Sequence, residues 1–214
     1  MTRREISCGS YHLTKADNNG NKCIEVNVGR KLTSGEITLL RSMFGNAIDY
    51  NTVRIYDKKF ITDQGDTMAI APNGNIYFAP KVHKKDFSLA SDVSKHFFIH
   101  EMTHVWQYQN GQTVALRAIG EQLFFEFPSQ AINHIGKKLS IEINGFKGAY
   151  SYELDVRKDL LDYGIEQQAS IVADYWAMKN GLHVELRNSI RATNRNDAYL
   201  THYRIIVDTV VKKY

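Results

Sequence analysis

Apolar side chains recur with two different periods along this chain, and the change between them separates predicted strands from predicted helices. Early in the chain, residues 34–48 carry an apolar side chain every three or four positions, the spacing of one helix face. These side chains are Ile37, Leu40, Phe44 and Ile48. Thr33 followed by Glu36 is a capping-box pattern, which marks a helix start. We therefore predict an amphipathic helix over residues 34–48 that covers one side of a sheet.

Three short runs rich in β-branched and aromatic residues follow, and we expect them to form strands. They cover residues 52–57, 67–71 and 75–79. The last two are separated by Pro72-Asn73-Gly74, which is turn chemistry typical of a hairpin. A shorter apolar alternation around Cys23 indicates one more strand after an N-terminal loop. Together these runs predict a small, mainly antiparallel sheet.

From Ser91 onward the apolar period is mostly that of a helix. One long helix is predicted from Ser91 to the stop signal Asn110-Gly111. Its apolar and histidine positions follow one face: Val93, Phe97, His100 and His104. Further helical patterns cover about 113–126, 164–180 and the tail from Tyr199. Strands followed by helices predict an α+β fold, and the length predicts a single domain over residues 1–214.

The composition is that of a folded globular protein and excludes several functional classes. Of the 214 residues, 43% are hydrophobic and 11% are aromatic, unlike a disordered chain. The net charge is +4, and the lysines form dispersed pairs, which argues against a nucleic-acid partner. No stretch reaches the roughly 18 to 20 apolar residues of a membrane span. No Sec signal peptide is visible, so we expect synthesis in the cytoplasm and either retention there or export by another route.

The cysteines leave two interpretations open. Cys8 and Cys23 are close enough in sequence for a disulfide that would stabilise the N-terminal segment by about 3 kcal/mol in an oxidising compartment. Two unlinked thiols are the alternative. Neither cysteine belongs to a CxxC pair, which excludes a cysteine zinc cluster.

The most informative pattern is HExxH at residues 100–104, because it lies inside a helix that the periodicity predicts independently. Positions i and i+4 share a helix face, so the imidazoles of His100 and His104 can converge on one ion. Glu101 is rotated by one residue and can reach a water molecule beside the ion without being a ligand. The alternative is a helix with two histidines that are satisfied by ordinary hydrogen bonds.

A catalytic zinc ion needs a third protein ligand, which must come from elsewhere in the chain. Gln107 and Asn110 stand where the extended HExxHxxGxxH pattern needs Gly and His, which excludes a metzincin. We predict Glu166, at the start of the 164–180 helix, as the third ligand. It lies beside Ala169 and Ala173 at the edge of an apolar stripe, where a carboxylate needs a partner.

Other interpretations of these carboxylates remain open. Glu166 can instead be a helix N-terminal carboxylate that the helix dipole stabilises without any metal. Five other side chains compete as the third ligand: Asp162, Glu153, Asp174, His134 and His183. Asp162 is the strongest competitor, because it precedes Glu166 by four residues and can share its face.

The block HEMTHVWQ at residues 100–107, followed by EQQA at 166–169 and the pair Tyr175-Trp176, resembles the family of Vgr-related zinc metallopeptidases. Members of that family are C-terminal modules or companions of the spike proteins of bacterial type VI secretion systems. The resemblance covers residues of about 96–111 and 161–178, with weaker similarity in the segment AIAPNGNIYF.

This resemblance implies a zincin-like, gluzincin-type site that holds Zn²⁺. In it, His100, His104 and Glu166 correspond to the zinc ligands and Glu101 to the catalytic base. It also implies delivery into the periplasm of a rival cell as an antibacterial toxin, with a spike protein and an immunity protein as partners.

These observations predict a zinc-dependent hydrolase that cleaves a peptide or amide bond, with a peptide or protein as substrate. The candidates for stabilising the tetrahedral oxyanion are unranked: Tyr150, Tyr152, Tyr163 and His183. The strand from Asn75 to Ala79 would suit an extended peptide if it is an exposed sheet edge, although it can equally be an ordinary edge strand. The alternative function is a non-catalytic, zinc-containing adaptor or binding module associated with a secretion spike.

Overall fold

The computed structural model describes residues 28–112, 150, 152–155, 157–182 and 197–211. Within them the helices and strands, in chain order, are α1 Ser34–Phe44, β1 Ile55–Asp57, β2 Ala69–Ile70, β3 Ile76–Phe78, α2 Asp92–Gln109, α3 Ile165–Lys179 and α4 Asp197–Val211. These elements confirm the predicted α+β class. The predicted strand around Cys23, the predicted helix at 113–126 and both cysteines lie outside the described residues.

The predicted capping box of α1 is present. Thr33 Oγ1 accepts a hydrogen bond from the Glu36 N–H at 3.0 Å, and Glu36 Oε2 accepts one from the Thr33 N–H at 2.9 Å. The predicted end at residue 48 is wrong, because the helix ends at Phe44. Gly45 follows with a φ of 54°, a conformation that glycine adopts at little cost and that ends the helix. Ile48 is nevertheless buried beyond it.

The sheet has the strand order β1-β3-β2 and is mixed. Strands β2 and β3 pair antiparallel as the predicted hairpin, whereas β1 and β3 run parallel, with Ile55 opposite Ile76. The prediction of a mainly antiparallel sheet is therefore wrong. The apolar runs determined where strands form, but they carry no information on pairing direction. The direction follows from the loop over residues 58–68, which carries the chain past β3 so that β2 pairs on its far side.

This order places β3 in the centre of the sheet, between β1 and β2. The predicted edge position of the strand Asn75 to Ala79 is therefore wrong, and β2 is at the edge of the described sheet. The hairpin turn contacts α2: Gly74 has a φ of 75°, and a Cβ there would lie 2.8 Å from the ring of Tyr108. The turn needs glycine both for its conformation and for this close approach.

Helices α2 and α3 have the predicted bounds within one residue and form the centre of the described fold. Helix α3 packs against both α2 and α4 and is buried on nearly all sides. The core face of α2 consists of Phe98, Ile99, Met102, Val105 and Trp106. The face with Val93 and Phe97 instead lines a pocket, and Val93 is 63% exposed. The predicted face thus borders a cavity and contacts the core through Phe97, whose ring packs edge-on against Phe78.

No helix among the described residues combines the length and the apolar character that crossing a lipid bilayer requires.

Candidate metal centre

Helices α2 and α3 bring His100, His104 and Glu166 together at one point. Glu166 Oε2 lies 3.0 Å from His100 Nε2 and 3.2 Å from His104 Nε2. One donor atom from each residue lies within 4.8 Å of the other two. The two histidines are one turn apart on α2, and Glu166 is in the first turn of α3, which packs against that face. These three side chains form a group that could hold a metal ion.

Burial and mutual charge shift the pKa values of all three side chains. Burial lowers the pKa of His100, and its hydrogen bond with Glu166 offsets only part of that effect. Burial also lowers the pKa of His104, but the charge of Glu166 prevails and raises it to about 9. Burial raises the pKa of Glu166, but the charge of His104 and the hydrogen bonds from both imidazoles prevail and hold it well below its usual range. The carboxylate is therefore ionised and stabilises a cation beside it.

The cluster opens into a pocket of about 370 Å³. Its walls include residues 67–71 around β2, one face of α2, the start of α3 and Tyr150. Glu101 is only 5% exposed and lines this pocket, and its charge is among the groups that raise the pKa of His104. The arrangement places a carboxylate beside a candidate metal centre that opens into a cavity, which are the parts needed for metal-assisted hydrolysis.

A second polar network lies on the same pocket wall, one turn before His100. His96 Nε2 is 2.8 Å from Asp174 Oδ1, and Asp174 Oδ2 accepts a hydrogen bond from the Tyr152 hydroxyl. The hydroxyls of Tyr152 and Tyr203 are also hydrogen bonded. Burial and the charge of Asp174 raise the pKa of Tyr152 well above its usual value, so this phenol stays neutral and donates to Asp174. The network fixes the ring of His96 against α3.

The competing third ligands that the structure describes lie elsewhere. Asp162 is exposed and accepts a hydrogen bond from the Asp159 N–H in the short 3-10 helix Leu160–Asp162. Glu153 is exposed, and Asp174 is engaged with His96 and Tyr152. His134 and His183 lie outside the described residues. The structure thus places Glu166, and not Asp162, with the two histidines.

The tyrosines that were candidates for oxyanion stabilisation differ in whether they line the pocket. Tyr150 lines the pocket, with its ring centroid 6.0 Å from that of His100. The hydroxyl of Tyr152 is engaged with Asp174 and Tyr203. The hydroxyl of Tyr163 contacts the backbone of residues 153 and 155. Of these three tyrosines, Tyr150 is the one that faces the pocket.

Sequence reasoning missed two polar residues on α2 that contact this site. His96 precedes His100 by four residues, and Gln107 follows His104 by three, so both share the helix face of the histidines. Gln107 Oε1 lies 2.8 Å from His104 Nδ1. Helical spacing could have indicated both residues. Their partners Asp174 and Gln168 are on α3, 78 and 61 positions away along the chain, and no local signal indicates them.

No known protein-family model matches the chain. Its sequence is 40% identical over 157 residues to the type VI secretion system spike protein VgrG2b of Pseudomonas aeruginosa strain PAO1. The matched residues are 73% of this chain but only 14% of that protein. Its fold is similar to the solved structure of the effector domain of Pseudomonas aeruginosa VgrG2b, with a TM-score of 0.57 and 40% identity. That similarity covers 72% of this chain and 76% of the solved one.

Proposed function

The chain belongs to the family of the VgrG2b effector domain, and from this premise we propose that it is a zinc-dependent metallopeptidase that acts as a type VI secretion effector. The observation that supports the peptidase activity most directly is the cluster of His100, His104 and Glu166 beside Glu101 in one pocket wall.

The donor set fits zinc. Two imidazole nitrogens and one carboxylate oxygen are the protein ligands of several catalytic zinc sites. Tetrahedral ligands about 2.1 Å from a zinc ion lie about 3.4 Å from each other. The separations from Glu166 Oε2 to the two histidine nitrogens, 3.0 and 3.2 Å, are close to that spacing. The ionised carboxylate also balances part of the charge of a divalent cation.

The number of donors favours a catalytic site over a structural one. Structural zinc sites are closed by four protein ligands, whereas catalytic sites use three and leave one position for water or substrate. Among the residues that the structure describes, the group has three members, and it faces a pocket large enough for part of a peptide. This geometry supports hydrolysis over the alternative of a non-catalytic, zinc-containing adaptor.

Zinc at this position would supply Lewis-acid activation of water and of the substrate carbonyl. Glu101 would act as the base. As the oxygen of the attacking water bonds to the carbonyl carbon, a carboxylate oxygen of Glu101 accepts one water proton. The Glu101 carboxyl then donates this proton to the amide nitrogen while the C–N bond breaks. The products are a carboxylic acid and an amine, and Glu101 is ionised again.

His96 provides a further hydrogen-bonding group for the substrate. Its Nε2 is engaged with Asp174, and its Nδ1 has no hydrogen-bond partner among the residues described. The ring lines the pocket one helical turn from His100, which is about 6 Å along the helix axis. The Nδ1 side of the ring would form a hydrogen bond with the substrate while Asp174 holds the ring in place.

The family membership supports the biological setting. The relative is a spike protein of a type VI secretion system, and the solved structure is its effector domain. We extend the association with a spike and the effector role to this chain. It would be exported with a secretion spike and act on a peptide or protein in the periplasm of a target cell. In the producing cell, an immunity protein would neutralise it.

The experiment that tests the proposal compares the wild-type protein with the Glu101→Gln variant. This substitution keeps the size of the side chain and removes the proton acceptor. We expect both proteins to retain one zinc ion, measured by mass spectrometry of the metal. We expect the variant to hydrolyse fluorescently labelled, denatured casein about 10² to 10⁴ times more slowly, the usual contribution of a general base.

Directing both proteins to the periplasm of a bacterial host tests the effector role. The wild type should inhibit growth, and the Glu101→Gln variant should not. A wild-type protein that binds no zinc would refute the metal site. Equal toxicity of the two proteins, with zinc present in both, would favour a binding module over an enzyme.

A further inference from the structure

Gln107 connects the two helices that carry the candidate metal ligands. It is fully buried, one turn after His104 on α2. Its Oε1 lies 2.8 Å from His104 Nδ1, and its Nε2 donates to the backbone carbonyl of Ile165 at 3.0 Å and to Gln168 Oε1 at 2.9 Å. Ile165 immediately precedes Glu166, so the amide contacts the backbone beside one ligand and the ring of another.

The direction of these hydrogen bonds is fixed by backbone carbonyls, which can only accept. Gln168 donates from Nε2 to the carbonyl of Tyr163 at 2.8 Å, so its Oε1 faces Gln107. Gln107 must therefore direct its Nε2 toward Gln168 and the carbonyl of Ile165, which leaves its Oε1 facing His104. A carbonyl oxygen at that position accepts only from a protonated Nδ1. His104 thus carries a proton on Nδ1, which leaves Nε2, the nitrogen that faces Glu166, as the one that can bind a metal ion in place of its own proton.

We propose that Gln107 is a positioning residue that holds His104 in the tautomer and ring orientation needed to bind a metal through Nε2. This inference rests on the proposed zinc site. Outer hydrogen bonds of this kind fix the ring of a metal-binding histidine and change metal affinity by about 10- to 100-fold when removed. The same amide also donates to the backbone of Ile165 in the first turn of α3, a contact that stabilises the packing of α3 on α2.

Burial gives this arrangement its rigidity. Gln107, Gln168 and His104 are 0%, 3% and 4% exposed, so water does not compete for their hydrogen bonds. A buried amide is costly unless its donor and acceptor groups are paired, and both are paired here. Turning the Gln107 amide over would place its NH₂ against the Nδ1 proton and its oxygen against two other oxygens. The chain of hydrogen bonds therefore has one stable direction.

The test compares Gln107→Met with Gln109→Met on the same helix. Methionine is close to glutamine in shape and forms neither hydrogen bond. Gln109 also hydrogen bonds through its amide, to Asp49 and Thr52, but it lies away from the pocket and controls for loss of a glutamine from α2. Zinc affinity is measured by competition with a coloured chelator. We expect a 10- to 100-fold weaker affinity for Gln107→Met and an unchanged affinity for Gln109→Met.

Two further measurements separate positioning from a general loss of packing. Gln107→Glu keeps an acceptor for His104 but loses the donor to α3, so we expect near-wild-type zinc affinity and a lower Tm. If Gln107→Met fails to fold, nitrogen-15 NMR of the zinc-loaded wild type decides: a protonated Nδ1 and a metal-bound Nε2 on His104 are expected, and zinc bound through Nδ1 would overturn the proposal. In cobalt(II)-loaded proteins, the visible absorption bands, which depend on ligand geometry, should change in Gln107→Met and stay unchanged in Gln109→Met.

The outcomes distinguish this inference from the proposed function. Wild-type zinc affinity in a folded Gln107→Met protein, or an equally large loss in Gln107→Glu, would overturn the positioning role and leave the zinc site intact. A wild-type protein that binds neither zinc nor cobalt would overturn both proposals.

Discussion

His96 Nε2 and Asp174 Oδ1 lie 2.8 Å apart and join α2 to α3 one turn away from the cluster of His100, His104 and Glu166. Asp174 is 1% exposed and also accepts a hydrogen bond from Tyr152. Two polar connections therefore link the same pair of helices on either side of the candidate metal centre: His96 with Asp174, and Gln107 with Gln168. The His96–Asp174 pair borders the pocket and can contact a substrate. The Gln107–Gln168 pair is inside the protein and can act only on the side chains that would bind the metal.

The position of His96 predicts an effect on catalysis without an effect on metal binding. Replacing His96 by Ala removes an imidazole that borders the pocket, and losing its hydrogen bond to the substrate should lower kcat/KM for casein by about 2- to 10-fold. Zinc affinity should stay at the wild-type value, because His96 is not part of the ligand group. Enzyme kinetics measure kcat/KM, and competition with a chelator measures the zinc affinity of the same protein. The control is Lys95→Ala, next in the chain and outside the pocket lining. Full activity of His96→Ala would exclude the substrate contact.

The choice of third ligand predicts a difference between two nearby carboxylates. Glu166→Ala removes one of three donors and should weaken zinc binding by more than about 100-fold, beyond the effect of losing an outer partner. Asp162→Ala should leave zinc affinity unchanged, because this exposed carboxylate only accepts a hydrogen bond from the Asp159 N–H. Titration of each purified protein with zinc against a chelator checks the order. The reverse order would assign the site to Asp162.

Local signals in the sequence were sufficient to predict the helices that carry the site. Ser91 caps α2 through its side chain, and Asn110-Gly111 ends it, so both boundaries depend on residues next to them. The convergence of His100 and His104 follows from helical geometry alone. Glu166 was predictable because a carboxylate at the edge of an apolar stripe needs a partner, and the structure provides one in the two imidazoles.

The features that sequence reasoning missed depend on distant contacts. The parallel pairing of β1 with β3 is decided by the path of residues 58–68, where Gln64 donates to the carbonyls of Met68 and Tyr77. The apolar periodicity of Val93 and Phe97 is the same whether a helix faces a core or a cavity. What decides between the two is which distant segments surround that face, and here these are residues 67–71, residues 81–84 and α3.

A buried ion pair near the start of the described chain predicts a large loss of stability. Glu36 is fully buried and binds both terminal nitrogens of Arg30 at 2.7 and 2.8 Å, and it also accepts from the N–H of Phe87. Arg30→Ala leaves this carboxylate without its charged partner, which should lower the free energy of unfolding by about 3 to 5 kcal/mol. Urea denaturation measures the change. As a control, Lys95→Ala removes a surface ion pair with Asp92 and should cost less than about 1 kcal/mol.

Zinc should stabilise the folded chain, because its ligands come from two helices that meet only in the folded state. His100 and His104 are 62 or more positions from Glu166 along the chain, so the unfolded chain does not hold the three together. A ligand that binds only the folded state at a free concentration 1,000 times its Kd adds about 4 kcal/mol of stability. For a chain of this size that raises Tm by about 8 to 16 °C. Thermal unfolding with added zinc, and again with a chelator, measures the shift.

The zinc-induced rise in Tm should be small in Glu166→Ala, because the two remaining imidazoles bind zinc more weakly. In Asp162→Ala the full rise should remain. A zinc-induced shift of the same size in Glu166→Ala would mean that the ion binds elsewhere and that the helix pair does not form the metal centre.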